Sequence, residues 1–145
     1  MLQPTHDAPV DQEVGDDPFY GALNVQDFQE VYRVPASLAP ATIVRQLELA
    51  FGEVWRDLAA WRAEQEAAGV TTLPAALAPF YAEAVFARAY GHLIPMLQAL
   101  HATDQAGGSD EDMDVNEARF FARSDHFINQ VRGVPVSGAV SVSVL

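Results

Sequence analysis

From Pro40 to Gly69 the chain carries one long apolar stripe, and it limits the fold more than any other feature. Ile43, Leu47, Ala50 or Phe51, Val54, Leu58 and Trp61 recur at three- and four-residue spacing. That places them on a single helical face. Leu49 and Trp55 are expected to widen the stripe. Pro40 stands near the first turn, where its missing N–H costs nothing, and Gly69 is suited to a left-handed cap at the far end. A helix from Ala41 to Ala68 would run about 42 Å at ~1.5 Å per residue. In a chain of 145 residues, a helix of that length has to pack along other helices or cross a subunit boundary.

The neighbouring segments supply those helices. Asn24 is a good N-cap for a short helix with Phe28, Val31 and Tyr32 on one face, and Asp27 completes an approximate capping box. Pro35 ends it. From about Pro79 to His101 the chain is apolar almost all round (Phe80, Tyr81, Val85, Phe86, Tyr90, Leu93, Ile94, Leu97), so this helix is expected at the centre, kinked near Pro95. A last helix begins near Asp112 or Asp114 and closes at Arg132 and Gly133. Its stripe reads Val115, Ala118, Phe121, Ala122 and Ile128, broadened by Phe120, Phe127 and Val131. The fold class is all-α, a small bundle of about four helices, one of them long.

Both ends differ from this body. Residues 1–23 form an acidic arm rich in proline and glycine. Such a segment does not repay its chain entropy alone, so it reads either as a disordered terminus or, more sharply, as an arm that orders on a partner with Phe19, Tyr20 and Leu23 as anchors. Residues 24–133 are the helical domain. Residues 134–145 are an uncharged tail with valine and small residues alternating: Val136, Val140, Val142 and Val144, ending in Leu145. The period of two reads as a strand, and its partner is expected on another chain or in a groove. Trp55 is read as a core or subunit-interface residue.

Twenty acids face eight bases, a formal charge of −12, and every base is arginine. Phosphate binding needs clustered cations; these arginines are scattered singly, so tight binding to nucleic acid or an anionic membrane is not expected. An acidic surface would let DNA pass without adhering. No signal peptide and no apolar run of membrane-spanning length is evident. The chain has no cysteine, which removes disulfides and thiol chemistry. His6, His92, His101 and His126 lack metal-pair spacing. The run Asp110, Asp112, Asp114 starts like a calcium loop but has Val115 and Phe121 where glycine and glutamate are required. With no nucleophile elbow or phosphate loop either, no catalytic residue, metal or cofactor is expected.

The order of elements resembles the GPL-type head completion proteins of temperate, contractile-tailed phages. The matching residues are Ala39-Pro40-Ala41 opening the long helix, Trp61 to Gly69 followed by Thr72-Leu73, Tyr81-Ala82-Glu83-Ala84-Val85, and Val131-Arg132-Gly133. The likeness spans roughly Val25 to Leu145. It implies a structural virion protein of the head–tail neck, made in the host cytoplasm. It further implies a homo-oligomeric ring, since related connector adaptors form dodecamers. The implied partners are the portal protein and the next neck or tail-terminator protein, with DNA passing through the channel and no membrane involved. From the residues alone, a second reading stays open: an acidic helical binding module that inhibits a basic protein partner.

Overall fold

The computed structural model describes residues 10–104 and 116–133. The described chain is an all-α bundle with one two-stranded hairpin: β1 (Glu13–Val14), β2 (Leu23–Asn24), α1 (Val25–Tyr32), α2 (Pro40–Asp57), α3 (Ala59–Ala67), a 3-10 turn (Ala75–Leu77), α4 (Ala78–Asp104) and α5 (Asn116–Arg132).

Local chemistry explains most of the boundaries. The Asn24 side chain accepts a hydrogen bond from the Gln26 N–H at 2.7 Å, satisfying an otherwise orphaned donor at the start of α1. Arg33 adopts a left-handed conformation (φ 51°) and the Val34 N–H reaches the Gln29 carbonyl, closing the helix two residues before Pro35. The buried face of α1 is Val25 and Phe28, with Tyr32 half-buried; Val31, expected on that face, is 60% exposed. Phe28 packs between the rings of Tyr32 and Phe86 (5.6 and 5.4 Å), and this orientation turns Val31 outward.

The long stripe is buried as expected at Ile43, Leu47, Ala50, Val54, Leu58 and Trp61. It is carried by two helices, not one. Leu58 (φ −95°, ψ 3°) separates α2 from α3. Its N–H still bonds the Val54 carbonyl, and the Arg62 N–H bonds the Leu58 carbonyl, so the apolar face continues across the break. Leu49 and Trp55 do not widen the core: they are 49% and 41% exposed. After α3, Gly69 (φ 93°) donates to Glu66 and Val70 donates to Gln65, the paired bonds of a Schellman cap.

The longest helix is α4, with 27 residues, and it touches α1, α2 and α5. It spans ~40 Å at 1.5 Å per residue and continues through Pro95, which has no N–H to offer the Gly91 carbonyl. Tyr81, Ala84, Val85, Phe86, Ala89, Leu93 and Ile94 are all buried.

The helix α5 lies against α4, rotated from the expected stripe. Ser124, Ile128 and Val131 are buried, whereas Ala118 and Ala122 are exposed. Two features set that rotation. The Ser124 hydroxyl donates to the Ala84 carbonyl at 2.7 Å. The Phe121 ring lies over Gly91, where a Cβ would come within 2.6 Å of it.

Candidate functional site: the clasped arm and the charged ties between helices

The arm from Val10 to Leu23 lies on this chain's own body. Glu13 pairs with Asn24 and Val14 with Leu23 in an antiparallel register. Between the strands, Asp17-Pro18-Phe19-Tyr20-Gly21 makes a turn. The Asp17 carboxylate accepts from the N–H groups of Phe19 (2.8 Å) and Tyr20 (3.0 Å), and its carbonyl accepts from Gly21. Gly15 (φ 66°) faces Phe51 so closely that a Cβ would sit 2.7 Å from the ring. The Val10 N–H donates to the Gln29 side chain, and the Leu73 N–H donates to the Phe19 carbonyl.

Arg62 on α3 closes the clasp. Its guanidinium meets both Asp17 oxygens at 3.0 Å and also pairs with Glu66. The same group sits 5.0 Å from the Phe19 ring centre and 5.5 Å from that of Tyr20. Phe19 meets Trp61 edge-on, and Tyr20 stacks on Tyr81 with ring centres 4.5 Å apart. Burial raises the Tyr20 phenol to about 12 and raises Tyr81 further. Among the described residues neither hydroxyl finds a hydrogen-bond partner. Burial alone would raise the Asp17 carboxyl, but the Tyr20 N–H, Arg62 and the Phe19 N–H outweigh it and hold the group below its ordinary value.

A depressed carboxyl stabilises the fold above its unfolded pKa of about 3.9, and that contribution is lost as pH falls through the folded value. We therefore expect Asp17→Asn to lower stability by about 1–2 kcal/mol at pH 7, with the difference from wild type shrinking towards zero below pH ~4. The two tryptophans, Trp55 and Trp61, both lie at this clasp, so urea unfolding followed by tryptophan fluorescence at a series of pH values reads the effect. A pH-independent difference would refute the assignment.

Two further polar ties join the helices. Arg88 on α4 reaches Asp125 on α5 at 2.9 Å and Glu53 and Asp57 on α2 at 3.6 Å each. It also donates to Ser124, and His92 lies 2.9 Å from Glu53. On the other side of the bundle, Tyr32 donates to Glu83 at 2.9 Å while Arg123 contacts both. Burial is the main reason the Tyr32 phenol rises to about 12. These are cross-braces among α1, α2, α4 and α5. Among the described residues no three histidine, aspartate or glutamate side chains could hold a metal ion together. A shallow groove of about 600 Å³ runs along the start of α2, lined by Gln12, Pro40, Ala41, Thr42, Val44, Arg45 and Glu48.

The residues expected to meet partners are placed as follows. Phe19 and Tyr20 are 2% and 8% exposed in the chain's own core, and Leu23 is half-buried against it. What they anchor in this structure is the arm to the helices. Trp55 donates to Asp17 at 3.3 Å and keeps part of its ring in solvent. Val136, Val140, Val142, Val144 and Leu145 lie outside the described residues, as do Asp110, Asp112 and Asp114. Residue-by-residue reading missed Asp17, Arg62, Arg88, Gly91 and Ser124. A usable signal existed for two of them: Asp-Pro followed by glycine marks a turn, and Arg88 is the single arginine of a predominantly apolar helix.

No helix among the described residues is long and apolar enough to cross a membrane. Comparison with curated proteins and with solved structures found no match. The family profile described as phage head completion protein (GPL) matches residues 14–140, from the first hairpin strand into the tail. The chain therefore belongs to the phage head completion (GPL) family.

Proposed function

We propose that this protein closes the filled head of a tailed phage: copies bind the portal vertex as a ring after DNA packaging, help retain the DNA, and present the surface to which the next neck or tail protein attaches. The family match over residues 14–140 carries this reading. The charge of −12 supports it, since a surface that repels phosphates lets DNA cross a channel without adhering. So does a body of long, cross-braced helices, which can be packed side by side without rearranging internally.

The test is to mix the purified protein with portal rings of the same phage and, separately, with its packaged heads, and to image both by electron microscopy. A symmetric collar on one end of the portal is expected. Bare portals in both preparations would overturn the reading. The tail is assigned to docking: deleting Val136–Leu145 should leave helical circular dichroism and unfolding unchanged while abolishing the collar. A collar formed by the truncated protein would remove the tail from this role.

A further inference from the structure

The two most exposed large apolar side chains of the described structure stand among charges of opposite sign. Val31, 60% exposed on α1, lies one turn after Asp27 and directly beside Glu30, both exposed. Leu49, 49% exposed on α2, lies between Arg45 and Arg56. On α2 the order Arg45, Leu49, Gly52, Arg56 alternates four- and three-residue steps, so these residues form one stripe over ~16 Å of helix.

Nothing among the described residues packs on that stripe at Gly52 or pairs with its two arginines. A Cβ at Gly52 would meet nothing within 4 Å, and a mid-helix glycine is unfavourable relative to alanine, so internal packing does not require it there. The acids Glu53 and Asp57 of α2 are engaged by Arg88 and His92. Arg45 and Arg56, like Asp27 and Glu30, make no ion pair among the described residues, in a chain of net charge −12. Of the exposed acids beside the stripe, Asp57 is held by Arg88, while Glu48 makes no ion pair among the described residues and with Arg45 lines the groove at its N-terminal end.

We infer that these faces are the two halves of one contact between copies: the α1 patch of Asp27, Glu30 and Val31 on one copy seats against the α2 stripe of Arg45, Leu49, Gly52 and Arg56 on the next. Opposite charges set the orientation, the apolar side chains fill the centre, and Gly52 lets the neighbouring backbone approach. Because the two faces differ, the contact is head-to-tail, the kind that propagates around a ring when the rotation closes. The contact rests on the ring reading given above.

The absence of native cysteine makes the test direct. Val31→Cys and Leu49→Cys are combined in one chain, each substitution being on an exposed position, and incorporated into phage particles. After mild oxidation, a non-reducing gel should show a ladder of covalent multimers, absent from either single variant at comparable occupancy. In the uncrosslinked background, Leu49→Asp should lower the number of copies retained per head about tenfold or more. Particles that show the collar by microscopy but yield only monomer on the gel would overturn this contact and leave the ring intact. Particles without a collar and without a ladder would overturn both.

Discussion

Replacing Gly91 with leucine should cost about 3 kcal/mol, the upper end for overpacking a close helix contact. The reason is geometric. The Phe121 ring of α5 occupies the space a side chain at 91 would need, with the nearest ring atom 2.6 Å from an added Cβ. Gly91→Ala should cost less, since a gain of ~1 kcal/mol in helix propensity offsets part of the clash. Phe121 is only half-buried, so the pair should be non-additive: Phe121→Leu, destabilising by itself, should recover much of the loss in Gly91→Ala. Urea unfolding followed by circular dichroism measures all four proteins. Additive losses would mean that the two residues do not determine each other's packing.

Phe19→Ala should destabilise the free protein by about 3–5 kcal/mol, as expected for a buried phenylalanine. This value separates two uses of the arm. If Phe19 served only to hold a partner, truncating it would leave the free protein unchanged. In the structure it is 2% exposed, edge-on to Tyr20 and Trp61 and beneath the Arg62 guanidinium. Thermal unfolding should fall by roughly 10 °C or more, given about 2–4 °C per kcal/mol for domains near this size. An unchanged midpoint would show that the arm is held elsewhere.

These two predictions have a common origin. Gly91 and Phe19 act through residues distant in sequence, as do Asp17 with Arg62 and Ser124 with Ala84. A window of sequence averages such residues into their surroundings. The arm reads as acidic and entropic because its aspartates outnumber its aromatics, yet Val14, Phe19 and Tyr20 enter the core once Arg62 neutralises Asp17. For the same reason α5 reads as a stripe through Ala118 and Ala122, although a buried serine defines its inner face. Hydropathy counts alanine as apolar and serine as polar, so it turned the alanines inward; Ser124 is buried because the Ala84 carbonyl accepts its hydroxyl hydrogen bond.

The sequence by itself determined the all-α class, the outer ends of α1 and of the α2–α3 pair, and the stripe from Ile43 to Trp61. These depend on interactions within one or two turns: side-chain spacing, Asn24 and Gly69 as caps, and Pro40 in the first turn. It also determined the order of motifs that marks the family. Only the tertiary structure decided that the arm folds back on its own chain, that the long stripe divides at Leu58, how α5 is rotated about its axis, and which apolar residues remain outside as Val31 and Leu49. Each of these depends on which distant surface a face meets, and that is fixed when the helices pack, not when they form.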